Sequence, residues 1–187
     1  MQRIIMYKPM PTFETERLIL RNFTEDDAIP FLRMISEPEV VKYTGRDVDP
    51  ETSIEETIRL MNIAPIGDYK KHGYGRHAMV YKETNEVIGF TGLKYMPELD
   101  KTDLGYRMFP EYWGKGIATE SCKPMLSYGF EILNLDEIIG IAMPNNQASC
   151  NILKKVGMDY IDDRDCFDGI VSYFELSRDK YLSGKAD

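Results

Sequence analysis

One segment narrows the fold of this chain more than any other: Phe109-Pro110-Glu111-Tyr112-Trp113-Gly114-Lys115-Gly116-Ile117-Ala118-Thr119-Glu120. The residues leading into it, Asp103–Phe109, read as a strand. The residues after it carry Ala118, Cys122, Met125, Leu126, Gly129 and Leu133 on one side of a helical pattern from about Lys115 to Leu133. Two glycines two apart let the main chain turn tightly and approach a ligand closely. The helix start then offers unpaired N–H groups and the positive end of its dipole, a combination that suits a phosphate, with Lys115 as a point charge. The pattern is not a P-loop, because Gly116 follows Lys115 where Ser or Thr is needed. Nor is it G-x-G-x-x-G, because Thr119 takes the third glycine's place. From spacing alone, a strand–helix turn without a ligand stays open.

Around this segment the chain reads as one domain, 1–187, with a lead-in at 1–13 and a tail at 179–187. Arg17–Arg21 is a short strand. Thr24–Asp27 offers helix N-caps, and a cap at Asp26 or Asp27 leaves Pro30 harmlessly in the first turn, with Ala28, Phe31, Leu32 and Ile35 on one face. Asp49-Pro50-Glu51 starts a second helix with Ile54, Ile58 and Met61 as its stripe. Ala64 to Gly75 is loop-like, rich in Pro and Gly. His77–Tyr81 and Val87–Leu93 form a hairpin around Glu83–Glu86. Pro124 is expected to kink or split the long helix. Glu137–Met143 is a buried strand, and Asn146–Val156 a helix with Gly157 at its C′ position. Met158–Ile161 and Ile170–Leu176 close the sheet. Strands and helices do not alternate regularly, so the class is α/β of the α+β type, with a mixed sheet.

Composition excludes several functions. The chain has 187 residues, 43% apolar and 29% charged, with a net charge of −8. That balance belongs to ordinary globular proteins and argues against nucleic acid as the main ligand. Three cysteines without C-x-x-C spacing and two histidines, His72 and His77, make no recognisable zinc site or disulfide framework. No metal is expected. The opening Met1–Pro9 is too short an apolar run for a signal peptide, and the densest later run, Ile138–Met143, is far below the ~20 residues of a spanning helix. A cytoplasmic protein with reduced thiols and no membrane partner is expected.

A second segment strengthens the first. Asn145-Asn146-Gln147-Ala148-Ser149 stands just beyond the buried strand, and Lys154-Lys155-Val156-Gly157-Met158 ends the helix that follows. Both segments lie at carboxyl ends of strands, where α/β sheets place ligands. The pair resembles motifs A and B of the GNAT N-acetyltransferase superfamily, with Trp113–Ala118 in place of its Gln/Arg-x-x-Gly-x-Gly/Ala loop. Trp in the first place departs from the wider superfamily and is similar to the branch of the Rim-type ribosomal-protein N-terminal acetyltransferases. Thr15–Arg21 with Asp26-Asp27, the strand Val87–Phe90 and Asn146–Ser149 resemble the same branch. The resemblance spans roughly 14–178.

It implies a GNAT fold: a mixed, mostly antiparallel sheet of about seven strands with splayed central strands, flanked by about four helices. It implies acetyl-CoA as cosubstrate. Its pantetheine would pair with main chain at Tyr106, Arg107, Met108 and Phe109, in the manner of an added strand. Its diphosphate would lie on Trp113, Gly114, Lys115, Gly116, Ile117, Ala118 and Thr119. Asn146 would bond the arm or the amine, with a helix N-cap as its equal alternative, while Asn151 and Lys154 would reach the distal end, with a solvated helix face as their stronger alternative. The expected activity is acetyl transfer to a primary amine, of a protein N-terminus or a small molecule, by direct attack in a ternary complex. The alternative is a non-catalytic CoA-binding or sensor module. An N–H of Met108 or its neighbour would polarise the thioester carbonyl. The tyrosine acid that many family members carry falls at Leu153 here, so Ser149 is the available acid, with local helix packing as its other reading. Asp103 is a candidate base, beside Asp162, Asp163, Asp165 and Tyr173. Glu120 reads as structural, Cys150 as a buried small residue. A monomer or homodimer is compatible with all of this.

Overall fold

A computed structural model describes residues 10–44, 48–167 and 169–185. Residues 1–9 of the expected lead-in and 186–187 of the expected tail lie outside them. Among the described residues, eight strands form one sheet in the order β1-β2-β3-β4-β5-β6-β8-β7. The strands are β1 Phe13–Glu14, β2 Leu18–Arg21, β3 Arg76–Tyr81, β4 Glu86–Met96, β5 Lys101–Met108, β6 Glu137–Ala142, β7 Asp159–Cys166 and β8 Gly169–Ser177. All neighbours are antiparallel except β5 and β6. The expected class holds, with one strand more than the expected seven.

Side-chain alternation divides the apolar residues between the two faces. On β3, Met79 joins one buried cluster and Ala78 the other; at the end of β5, Met108 and Phe109 divide likewise. The first face packs against α5 (Ile117–Ser127) and α6 (Gln147–Lys155) through Leu104, Cys122, Met125, Ile138 and Leu153. The second carries α1 (Ala28–Ser36) and α3 (Ile54–Ile63), through Phe31, Met34 and Met61. Each fully buried large side chain contributes roughly 1.5–3 kcal/mol. The strand–loop–helix of the candidate site is therefore anchored on both sides of the sheet.

Helices are more numerous than the expected four. Beyond α1, α3, α5 and α6, there are α2 Pro38–Val41, α4 Ile66–His72 and α7 Arg178–Ser183. The second expected helix begins at Ile54 rather than at Asp49–Glu51. Ser53 is the actual N-cap, accepting the Glu56 N–H at 3.1 Å, while Asp49 closes a local turn on the Glu51 N–H at 2.8 Å. The expected loop 64–75 contains α4, stopped by Gly73 at φ 79°. Tertiary burial overrides its Gly and Pro content, because Tyr69 is 2% exposed and its hydroxyl accepts the Phe23 N–H at 3.1 Å and donates to the Arg76 carbonyl. The tail folds as α7, capped by Ser177, with the Tyr181 ring stacked 4.7 Å from Phe130. The lead-in contributes β1. The long helix continues through Pro124 to Ser127 and then widens into a π turn, Tyr128–Ile132. α6 ends as expected, with Gly157 at φ 97° followed by the Met158 N–H on the Leu153 carbonyl at 3.1 Å. No helix among the described residues is long and apolar enough to cross a membrane.

Candidate active site

β5 and β6 run parallel but share a single register pair, Asp103 with Ile139. Beyond it β5 follows β4 as far as Met108 opposite Gly89, while β6 follows β8 as far as Ala142 opposite Ser172. Each strand is held by its outer neighbour, and a gap opens between them. The polar groups facing that gap follow from the ladder. The Phe109 N–H bonds the Ile88 carbonyl at 3.1 Å. Alternation along an antiparallel pair then turns Arg107 toward β4 as well and leaves the main-chain groups of Tyr106 and Met108 to the gap. Of the four residues expected to pair with pantetheine, Tyr106 and Met108 thus turn main chain to the gap, while the Phe109 N–H is taken by Ile88 and its carbonyl accepts the Tyr112 N–H at 3.0 Å.

The glycine loop lies at the mouth of this gap. Gly114 and Gly116 both adopt left-handed conformations, φ 72° and 77°. Trp113 to Gly116 are exposed, and a Cβ on Gly114 would meet nothing within 4 Å. Gly116 is the N-cap of α5 and supplies no side chain to cap it. The first-turn amides of Ile117, Ala118 and Thr119 precede the first intrahelical bond, from the Glu120 N–H to the Gly116 carbonyl at 3.0 Å. An open helix N-terminus behind two left-handed glycines is a fitting seat for a doubly charged linkage.

Two braces hold the loop. The indole Nε1 of Trp113 donates to the Met108 carbonyl at 2.9 Å, tying the loop to the last gap-facing residue of β5. Arg17, at the start of β2, donates from Nη1 to the Lys115 carbonyl at 2.9 Å and from Nε to Glu120 at 2.7 Å. Glu120 also accepts from the Thr15 hydroxyl at 2.5 Å and the Arg17 N–H at 2.9 Å. Burial pushes the Glu120 carboxyl upward, but these donors and the Arg17 charge more than offset it and hold it below its usual range. Glu120 is structural, as expected. Arg17 is a site residue that no local pattern announces, since its partner stands 103 positions away.

Across the gap, Asn146 is the N-cap of α6, its side chain accepting the Ser149 N–H at 3.1 Å. Its cap alternative is therefore realised, and its amide nitrogen is not used by that bond. Ser149 is reached from β5: the Tyr106 hydroxyl is 2.9 Å from Ser149 Oγ and 3.0 Å from the Ser149 carbonyl oxygen. Burial drives the Tyr106 phenol well above its ordinary value, against the opposing effect of the Ser149 bond. Asn151 and Lys154 are exposed on α6, while Cys150 is buried in the core beneath it.

Asp103 is 5% exposed at the apex of the gap. Its Oδ2 is engaged by Arg76, whose guanidinium also donates to the Gly92 carbonyl and to the Asp103 carbonyl at 3.1 Å. Gly92 and Gly105 stand opposite each other on β4 and β5, and a Cβ at Gly105 would collide with that guanidinium. The two glycines form a trough that Arg76 fills. Glycine inside a strand was the available signal for this close approach. The other expected bases lie on the β7–β8 hairpin. Asp162 pairs with Arg164 at 2.6 Å, Asp163 accepts from Ser172 at 2.6 Å, and Arg164 covers the Tyr173 ring at 3.6 Å. His77 is fully buried on β3, bonded to the Pro11 carbonyl at 3.1 Å, and burial lowers it to about 4. Among the described residues no group of three or more His, Cys, Asp or Glu is placed to hold a metal.

Comparison with known proteins agrees with this geometry. Residues 17–159 match the family described as the acetyltransferase (GNAT) domain. An uncharacterized N-acetyltransferase, YoaA of Bacillus subtilis, is 33% identical over 148 residues, 79% of this chain and 82% of that protein. The FsC-acetyl coenzyme A-N(2)-transacetylase of Aspergillus fumigatus is 30% identical over 165 residues, 83% of this chain and 68% of that protein. The crystal structure of spermidine N-acetyltransferase from Vibrio cholerae, in complex with CoA and spermine, superimposes with a TM-score of 0.73 at 20% identity, covering 90% of this chain and 99% of that one.

Proposed function

The chain belongs to the GNAT acetyltransferase family, whose members use acetyl-CoA, and from that premise we propose that it acetylates a primary amine, of a small molecule or a protein N-terminus, by direct attack in a ternary complex. The observation that carries this reading is the uncapped start of α5 behind the exposed Gly114 and Gly116, beside the gap between β5 and β6. The amides of Gly114 to Thr119 hold the diphosphate, with Lys115 beside them. Gap-facing main chain of Tyr106 and Met108 takes the pantetheine arm, and the unused amide of Asn146 meets it from α6.

The chemistry asks little of side chains. The Met108 N–H donates to the thioester oxygen as it gains charge, the kind of main-chain donor worth about a hundredfold or more in rate. Trp113 fixes that donor by occupying the carbonyl of the same residue. Ser149 gives a proton to the departing sulfur and regains the one that the nitrogen sheds. No enzyme nucleophile is needed, and Cys150, within the core, is not one. We assign Asp103 to holding Arg76 rather than to proton removal, because its side chain is 7% exposed and already ion-paired. An α-amine, partly neutral near pH 7, loses its proton to water without a dedicated carboxylate.

The acceptor class rests on relatives. One is named for acetyl transfer to an N(2) position, and a structural neighbour was solved with CoA and spermine. The test is thiol release from acetyl-CoA by the purified protein with spermidine, an alanine-initiated peptide and an N-terminally blocked lysine peptide. Amine-dependent release, with a product heavier by one acetyl group, is expected for at least one of them. Tight CoA binding without release for any primary amine would sink the proposal.

A further inference from the structure

The mechanism above uses only the main chain of Tyr106, yet its side chain crosses from β5 to the first turn of α6, where its hydroxyl bonds Ser149. The geometry points to Tyr106 as a positioning residue, whose hydroxyl aims the Ser149 proton into the gap and steadies the serine oxygen while that proton is away. This deepens the proposed function and rests on Ser149 serving the leaving sulfur.

Proton counting gives the argument. A phenol has one hydrogen, and two acceptors lie within its reach: the Ser149 carbonyl oxygen at 3.0 Å and Ser149 Oγ at 2.9 Å. If the phenol donates to the carbonyl, Ser149 Oγ donates back to the phenol oxygen and its proton is taken. If the phenol donates to Oγ instead, the serine proton is free to point elsewhere. The two arrangements differ by rotation of two hydroxyl hydrogens, with no heavy atom displaced. The Ser149 N–H is already committed to Asn146, so the serine backbone stays fixed while its hydroxyl turns.

In the second arrangement the step balances. The acceptor nitrogen forms its bond to the acetyl carbon and the carbon–sulfur bond breaks. Sulfur takes the Ser149 proton. The proton shed by nitrogen returns to Ser149 Oγ through water. During the interval the serine oxygen carries negative charge, and a hydrogen bond to a charged acceptor is roughly twice as strong as a neutral one. Burial keeps the Tyr106 phenol un-ionised in the resting protein, so the hydrogen it donates to Ser149 Oγ is in place when the serine proton leaves. A tyrosine supplied by the strand thus compensates for Leu153, which is 1% exposed in the core where a helix-borne acid would stand.

The experiment compares the parent with Tyr106→Phe, Ser149→Ala and the double variant. Release of thiol from acetyl-CoA is followed with spermidine, or with the alanine-initiated peptide if that is faster, and CoA binding is measured by calorimetry. Tyr106→Phe keeps the ring in its packing and is expected to lower kcat about tenfold or more, with the Kd for CoA within about twofold of the parent. Ser149→Ala is expected to lower kcat further, and the double variant no further than Ser149→Ala alone, because the two hydroxyls act as one unit. An unchanged kcat for Tyr106→Phe overturns the role. So does a loss of kcat matched by an equal loss of CoA affinity, which would mark a packing defect, and so does a double variant whose losses multiply. A parent that binds CoA but acetylates no amine overturns the proposed function instead, and is told apart by the parent's own assay.

Discussion

Gly114→Ala separates the two jobs of the glycine loop, holding its own shape and holding a ligand. Gly114 sits at φ 72°, where a Cβ costs about 1–2 kcal/mol. Part of that is offset because alanine also restricts the unfolded chain, by about 0.4–1 kcal/mol. No atom lies within 4 Å of the new Cβ, so no clash adds to the strain. The net is about 1 kcal/mol, or about 2–4 °C in Tm for a chain of this size. Gly73 provides a matched control. It has φ 79°, its added Cβ also meets nothing within 4 Å, and it ends α4, away from the loop. Gly73→Ala is expected to melt lower by the same amount.

Binding is where the two variants part. If the loop relaxes to relieve the strain at Gly114, the adjoining amides swing off their ligand; if it holds, the methyl group stands in the open space that the diphosphate would occupy. A hydrogen bond to a charged group is worth about 1.5–3 kcal/mol. Losing one weakens CoA roughly tenfold to a hundredfold, and losing two weakens it more. Trp113, the one tryptophan in the sequence, lies next to Gly114 and is 41% exposed, so its fluorescence reports the titration directly. The expected outcome is an equal melting loss for both variants and a CoA affinity that falls only for Gly114→Ala. Equal affinities in the two variants would refute the assignment of the diphosphate to this loop.

Three further outcomes are expected. His77 is buried and lowered to about 4, so its folded value lies below the ordinary 6.5. Its neutral form contributes stability that is full above pH 6.5 and lost as pH falls toward 4, about 3 kcal/mol across that window, so His77→Leu should flatten the dependence of Tm on pH there, by calorimetry. Glu120 is also held low, so its contribution is present above the ordinary carboxylate range and disappears at more acid pH. Glu120→Gln should lower stability by about 2 kcal/mol at pH 7, and by progressively less as the pH falls below the ordinary carboxylate range, by calorimetric melting across that range. Trp113→Phe removes the donor to the Met108 carbonyl and should cost about 1 kcal/mol in unfolding by urea, while lowering kcat more than it raises the KM for acetyl-CoA.

How much of this was legible depends on whether the governing interaction is local. The Gly114–Gly116 turn and the Asn146 cap are decided within a few residues, so composition and spacing reveal them. The antiparallel run β3–β4–β5 likewise follows from short connections. α4 was hidden because its Gly67 and Pro65 read as loop, while the burial of Tyr69 that stabilises it depends on Phe23 and Arg76, from other elements. The start of α3 was misplaced because Asp49 and Ser53 are both good caps, and only the folded chain uses Asp49 for a turn instead. Arg17 with Glu120, and Tyr106 with Ser149, join residues 103 and 43 positions apart. Strand alternation assigns Tyr106 to the face covered by α5 and α6, but nothing local says which side chain of α6 it meets.

The division between main-chain and side-chain recognition explains why the donor half of the site is easier to read than the acceptor half. Amides bind a diphosphate whatever side chains surround them, provided two glycines can reach left-handed backbone, so the requirement leaves a sequence mark. An amine acceptor must be read by side chains, and no comparable constraint marks them in the sequence. The apex of the gap is itself tied to a distant element. Tyr69 on α4 holds the Arg76 carbonyl, the Arg76 side chain fills the trough at Gly92 and Gly105, and it ends on Asp103, the last residue of β5 in register with β6. Removing one partner of such a buried pair costs about 3–5 kcal/mol, so the line of contacts from α4 to the apex of the gap is a strong structural tie, and Asp103 belongs to it.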